Sequence, residues 1–307
     1  MGNRLDQRLI LVLAIVTALA VAGSQPAQAA STADVEYSRP DGIPLQLDLE
    51  TPDGPGPYPV VVFVHGGDFV AGNRKTVSKT LVAELRQAGI AWASIEYRLA
   101  PKYHFPEPID DIEAAVRFLK ARAKKYRLDA NRVALMGESA GVLLVSYLGS
   151  VAHGDSSVAA VVSISGTHDL VRRFHPEGGC LVGGKFVPNR HPGEPQFCMP
   201  QGISAYLRIT GPGPEAERLL REASPKEHIR KDMPPYLILH GSSDVQAPFE
   251  QSVFMFEAMH AAGARCDLIV IDGGGHGMGS WDPHADQATY RPRLIQWLRD
   301  TLSVPAN

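Results

Sequence analysis

The chain has 307 residues, a formal net charge of −3 at pH 7, 44% hydrophobic residues and 21% charged ones. That balance suits a globular body with a sizeable core. It excludes a protein built to bind polyanions through bulk charge: there is no basic block and no excess of Lys and Arg, so no nucleic-acid partner is expected.

In chain order, Arg4 and Arg8 precede an apolar run over 9–22, followed by Gly23, Ser24, Pro26 and the small-residue pattern Ala27-Gln28-Ala29. Basic, apolar and A-x-A regions in that order are those of a secretory signal peptide. The run is also shorter than the roughly 20 residues of a spanning helix. The expectation is a signal peptide at 1–29, cleaved after Ala29 with Ala30 as the second site. The mature chain is then secreted or periplasmic, without stable membrane insertion, as one domain over 30–307. An uncleaved N-terminal anchor is the alternative.

Strands around 35–38 and 45–50, turned at Asp41-Gly42, predict an antiparallel edge. Short, β-branched, nearly continuous runs at 60–64, 91–96, 133–136, 159–164, 236–239 and 268–271 read as strands covered on both faces. Helical patterns fall between them at 76–88, 108–125, 140–151, 249–262 and 289–302. In the second of these, Ile109, Ile112, Val116 and Leu119 line one face. The alternation predicts an α/β fold: a doubly wound, mostly parallel sheet with an antiparallel N-terminal edge and helices on both faces.

Residues 167–214, rich in Gly, Pro, His and Arg, interrupt the alternation. They are expected to form an insertion over the site, a small lid, with a disordered surface loop as the alternative. Cys180 and Cys198 lie inside it. In an oxidising compartment they either form a disulfide or stay as thiols, while Cys266 reads as a buried apolar residue. No Cys/His spacing resembles a zinc site, and no metal or organic cofactor is expected.

Gly137-Glu138-Ser139-Ala140-Gly141 lies between the apolar runs at 133–136 and 142–145. Strand, tight turn and helix in that order push a serine hydroxyl above a sheet at a helix N-terminus, the arrangement of a nucleophile elbow. A serine needs a base in hydrogen-bond contact and a third group to orient that base. Later strand ends supply both: Asp244 follows the run at 236–239, and His276 stands among glycines after the run at 268–271. Those glycines are expected to leave a free loop that swings the ring to Ser139. Asp272 and Asp282 are the rival acids. His65-Gly66-Gly67-Asp68 follows the first long strand, where a loop can turn its N–H groups inward. The N–H groups of Gly67, Asp68 and Ala140 are the expected oxyanion donors. The Asp68 side chain is expected to point away, with His65 pinning the loop. Glu96, Arg98, Asp110 and Asp111 read as a structural polar network rather than a substrate site.

These motifs, together with Tyr97-Arg98-Leu99-Ala100-Pro101 and Ala223-Ser224-Pro225, carry a family resemblance over roughly residues 40 to 302. The chain resembles the hormone-sensitive-lipase-like group of α/β-hydrolase esterases. It is especially similar to the bacterial feruloyl and acetylxylan esterase-like (BD-FAE-like) domains. The resemblance implies an α/β-hydrolase fold and a cofactor-free serine carboxylesterase with the triad Ser139, Asp244 and His276. Its expected substrates are small-molecule or carbohydrate-linked esters of short acyl groups, acetyl or feruloyl. An exopeptidase or amidase on the same fold is the alternative. Two departures stand out: Asp68 and Val142 occupy positions where such relatives usually carry glycine or another small residue.

Overall fold

The computed structural model describes residues 30–174, 180–182, 185–187, 199–211 and 213–304. The expected signal peptide at 1–29 lies outside the described residues, as do Cys198 and the side chain of Cys180.

The elements in chain order are β1 (Ala30–Ser38), β2 (Leu45–Thr51), β3 (Tyr58–Val64), α1 (Lys79–Gln87), β4 (Ala91–Ile95), α2 (Glu107–Ala121), α3 (Ala123–Tyr126), β5 (Leu128–Glu138) and α4 (Ala140–Val151). Then come β6 (Ala160–Ile164), α5 (Leu170–Phe174), β7 (Cys180–Val182), β8 (Lys185–Val187), α6 (Gln201–Leu207), α7 (Pro214–Ala223), β9 (Tyr236–Gly241), α8 (Glu250–Ala261), β10 (Cys266–Ile271), α9 (Met278–Trp281) and α10 (Tyr290–Thr301).

Eight strands form one sheet in the order β1-β2-β4-β3-β5-β6-β9-β10. β1–β2 and β2–β4 pair antiparallel and the remaining neighbours pair parallel. The expected doubly wound sheet with its antiparallel edge is therefore present.

The apolar runs explain why the sheet is buried on both sides. In β3, Val60, Val62 and Val64 enter one core, with residues of α2, α4 and α8 such as Ile112, Leu144 and Met255. Val61 and Phe63 enter the other, with Leu81 and Leu85 of α1 and Leu294 and Leu298 of α10. Each such side chain fully removed from water contributes about 1.5–3 kcal/mol before the cost of ordering it.

The expected helix at 108–125 is two helices, broken at Arg122, whose φ of −112° leaves the helical range. Four further helices, α5, α6, α7 and α9, were not apparent in the sequence pattern. α7 buries only Ala216, Leu220 and Ala223 among acidic and basic residues, and α6 lies inside the insertion. The insertion is thus partly built: α5, a two-stranded β7–β8 hairpin and α6 are all present.

Parallel strands carry their carboxyl ends to one edge of the sheet, the edge where open α/β sheets hold ligands. The loops after β3, β5, β9 and β10 all leave from that edge, and each bears one part of the site described next.

Candidate active site

Ser139 sits immediately after β5, with φ 54° and ψ −119°. A non-glycine residue in that region stores about 1–3 kcal/mol of backbone strain. Backbone bonds hold it there: its N–H donates to the Ile164 carbonyl at 2.9 Å and its carbonyl accepts from Val142 N–H at 3.0 Å. The flanking glycines are required by contact. A Cβ on Gly137 would come 2.4 Å from the Gly141 carbonyl oxygen, and one on Gly141 would come 2.2 Å from that of Val64. Val142 is fully buried, and its Cβ lies 2.1 Å from where a Cβ on Gly166 would stand. The bulk that Val142 brings under the elbow is matched by the side chain missing at Gly166.

His276 Nε2 is 2.8 Å from Ser139 Oγ, and His276 Nδ1 is 2.8 Å from Asp244 Oδ2. A carboxylate only accepts, so Nδ1 carries the proton and Nε2 is the acceptor for the serine O–H. Asp244 is fully committed. Oδ1 accepts from the N–H groups of Gln246 and Ala247, both at 2.9 Å. Oδ2 also faces His240 Nε2 at 3.2 Å. That nitrogen lies 2.8 Å from the Ala247 carbonyl, so it too is a donor, leaving His240 Nδ1 to accept from Ser252 Oγ at 2.5 Å. Burial alone would raise the pKa of Asp244. The donors on His240 and His276 outweigh it and hold the carboxyl well below the ordinary carboxylate range.

The loop of His276 is fixed rather than free, contrary to the expectation drawn from its glycines. Gly277 N–H donates to Ser165 Oγ at 3.0 Å, Met278 N–H to Glu138 Oε1 at 2.8 Å, and Trp281 Nε1 to the Gly275 carbonyl at 2.8 Å. The first two bonds tie the loop to the ends of β5 and β6, and the third ties it to α9. The rival acids are elsewhere: Asp272 is exposed and meets Ser242, and Asp282 is held by Ser78, Tyr290 and Arg291.

The loop after β3 lies against the serine: a Cβ on Gly66 would come 2.9 Å from Ser139 Cβ. Gly67 has φ +122° and a Cβ there would strike the Ala71 carbonyl at 2.1 Å, so the turn needs glycine. The backbone N–H groups of Gly67, Asp68 and Ala140 have no acceptor among the described residues. All three residues line the same cavity as Ser139 and His276, with a volume of about 780 Å³. Asp68 turns its carboxylate to α6, where Oδ2 accepts from Gly202 N–H at 3.1 Å. Phe69 stacks on Tyr206 of α6, ring centres 4.5 Å apart and planes at 6°. His65 is buried, stacks on Tyr97 at 4.4 Å and lies 2.7 Å from the Gly66 carbonyl. It braces the loop, as its place in the sequence suggests.

Of Glu96, Arg98, Asp110 and Asp111, all but Asp110 make structural ion pairs. Arg98 donates from its backbone and Nε to Asp111 at 2.9 Å, and Arg74 pairs with Glu96. Asp110 makes no ion pair among the described residues. Sequence reasoning passed over three groups at the site: His240 behind Asp244, Glu138 under the histidine loop, and Arg173 in the cavity wall. The first two break otherwise apolar strands, a signal available in the sequence. Arg173 had none beyond the composition of the insertion.

Among the described residues no group of three or more His, Cys, Asp or Glu side chains is placed to hold a metal ion. No helix among them is long and apolar enough to cross a membrane. Cys266 is buried as a free thiol.

Residues 47–259 match the family model described as BD-FAE. The esterase LipC of Mycobacterium tuberculosis is 31% identical over 233 residues, covering 72% of this chain and 53% of LipC. A probable isoprenylcysteine alpha-carbonyl methylesterase of Arabidopsis thaliana is 27% identical over 255 residues, 75% of this chain and 48% of its own length. The chain thus spans about half the length of the curated relatives it matches. The solved structure of a truncated carbohydrate esterase from gut microbiota superposes with a TM-score of 0.70 at 24% identity, over 89% of this chain and 96% of that one.

Proposed function

The chain belongs to the BD-FAE family of α/β-hydrolases, and from that premise we propose that it is a secreted serine carboxylesterase cutting short acyl esters through an acyl-enzyme. One observation carries the reading: Ser139, His276 and Asp244 hang from three different strand ends yet form an unbroken chain of 2.8 Å contacts.

In the proposed cycle each residue of this chain of contacts has one task. His276 Nε2 takes the proton of the Ser139 hydroxyl as Oγ attacks the ester carbonyl carbon. Asp244, ionised and accepting from Nδ1–H, holds the ring and offsets the imidazolium charge. The oxygen that gains the electron pair meets the N–H groups of Gly67, Asp68 and Ala140; one such donor contributes about 3 kcal/mol to the transition state. The carbon–oxygen bond to the alcohol then breaks, and the leaving alkoxide takes the proton from Nε2. Water, deprotonated by the same histidine, attacks the acyl-enzyme, releasing the acid and restoring Ser139. No metal or organic cofactor enters any step.

Acetyl or feruloyl esters, on carbohydrate or on small alcohols, are the proposed substrates. Supporting this are the family and a cavity large enough for an aromatic acyl group. Export is proposed from residues 1–29, with cleavage after Ala29. N-terminal sequencing of the protein recovered outside the cell checks it: a chain starting at Met1 would remove the proposal.

The activity test is a fluorophosphonate titration beside an acyl-length series of p-nitrophenyl esters, acetylated xylan and methyl ferulate. Stoichiometric label on Ser139 and turnover falling with acyl length is the expected result. Absence of both label and turnover overturns the reading, and faster turnover of aminoacyl anilides than of acetyl esters would replace it with an amidase.

A further inference from the structure

The cavity beside Ser139 holds a cation that no described carboxylate neutralises. Arg173 lies near the end of α5, half-buried, and lines the same wall system as Ser139 and His276. Its guanidinium meets neutral oxygens: one terminal nitrogen donates to Thr167 Oγ1 and the other to the Gln246 carbonyl, each at 2.6 Å. A guanidinium has five N–H donors, so three remain after these two bonds to described residues. The other buried arginines differ. Arg74 and Arg98 are each surrounded by several carboxylates.

The carboxylates that act on Arg173 or line its cavity have other donors. Asp68 accepts from Gly202, Asp244 from His240, His276 and two backbone N–H groups, and Glu138 from Met278. Burial pushes the Arg173 pKa down to about 10, with Asp244 and Asp68 opposing, so the side chain is charged at neutral pH. A partly desolvated cation without a bonded counter-ion among the described residues is costly, and here that cost falls in the wall of a binding cavity.

The mount under Arg173 is rigid. The N–H groups of His168 and Asp169 both donate to Gln251 Oε1 of α8, at 3.1 and 2.9 Å. Leu170 N–H donates to Ser224 Oγ at 2.9 Å, and Asp169 Oδ1 caps α5 through Arg172 N–H at 2.9 Å. The guanidinium is therefore presented from the core, by groups that the catalytic chain does not use.

We propose that Arg173 receives a carboxylate on the substrate, so that the preferred esters are acidic: a neutral ester bond to be cut, with a free carboxylate on the acyl or the alcohol part. The inference rests on Ser139 acting as the nucleophile. A guanidinium fork matches a carboxylate with two parallel N–H···O bonds, a match that an ammonium makes less well.

Two matched pairs test it on the full chain. Monoethyl adipate against ethyl hexanoate carries the charge on the acyl side; 3-acetoxybenzoate against phenyl acetate carries it on the alcohol side. The expected result is that the wild type favours the acidic member of one pair by roughly tenfold or more in kcat/KM, an advantage that shrinks with added salt. Arg173→Gln removes that advantage by lowering kcat/KM at least about tenfold more for the acidic member than for the neutral one, and Arg173→Lys restores part of it. Equal kcat/KM for charged and neutral members in the wild type overturns the inference, and so does a fall in Arg173→Gln that is the same for both. If only the neutral esters turn over, this inference alone fails. If none of the four turns over, the serine-esterase reading fails and takes this one with it.

Discussion

The floor and the roof of the cavity are held by different means. On the floor, Ser139 follows β5 directly, and Asp244 and His276 stand on short loops after β9 and β10 that hydrogen bonds fasten beside the strand ends, so the parallel ladder underlies their spacing. The roof is made by α5, α6 and the loop after β3. Side chains join it: Phe69 on Tyr206, Asp68 on Gly202, Arg173 on Gln246. Chemistry that depends on three atoms meeting is tied to the sheet, which cannot drift without unfolding. Selectivity is tied to contacts that substitution can exchange one at a time.

That contrast predicts a steep gradient of effects. Ser139→Ala should lower kcat on p-nitrophenyl acetate by on the order of a millionfold and abolish phosphonate labelling. The thermal midpoint should stay within a few degrees, because no ladder bond is lost; calorimetry beside the assay checks both. Asp244→Asn should lower kcat about 10⁴-fold, since an amide no longer selects the Nδ1–H form of His276. A loss under tenfold would mean that the floor does not need its acid.

Where the floor passes into the roof, the prediction concerns pH. His168 is fully buried, with Nε2 3.0 Å from Ser163 Oγ and no partner for Nδ1 among the described residues. Burial, with His240 nearby adding to it, pushes its pKa down to about 3. The unfolded chain takes up this proton near pH 6.5 and the folded chain only near pH 3. The stabilisation is therefore complete above pH 6.5 and is lost as pH falls, amounting to about 3 kcal/mol at pH 4. Below that, the depressed Asp244 carboxyl adds a loss of the same sign. Urea unfolding from pH 7 to 4 should show the decline, and His168→Gln should flatten it; parallel curves would assign the slope to other groups.

The smallest effect belongs to the roof. Tyr206→Leu keeps α6 apolar but removes the stack on Phe69, worth about 1 kcal/mol of stability. It should lower kcat about tenfold and shift the acyl-length optimum, because the loop carrying two oxyanion donors loses its brace. An unchanged acyl profile would uncouple roof from floor.

The same division explains what could be read in the residues. The runs that precede Ser139, Asp244 and His276 are legible because a buried parallel strand leaves almost no polar residue in its body. The first polar residues after them are Glu138, His240 and Asp272, so the glycine turn around Ser139 and the chain order of acid and base, rather than nearness to the strand, single out the three. The antiparallel edge was legible for a related reason, since Leu45, Leu47 and Leu49 alternate into the core. α7 was hidden because it buries little, and Arg218 and Arg221 pair with Glu222 and Glu217 along its exposed surface. The fixed histidine loop was misjudged because glycine content reports permitted motion, while the bonds from Gly277 and Met278 reach partners more than 100 residues away. Arg173 was invisible because an arginine in a Gly/Pro-rich stretch looks the same whether it faces solvent or a cavity.

Val142 and Gly166 bear on how such a site changes over generations. With valine at the first position, even alanine at the second would drive two side chains into one volume. With glycine at the first, the helix behind the nucleophile would sit over a hole. Either single exchange passes through a damaged protein, whereas the double exchange returns to a filled one. The pair is an epistatic lock: a lineage that carries it is committed to this packing until both codons move together.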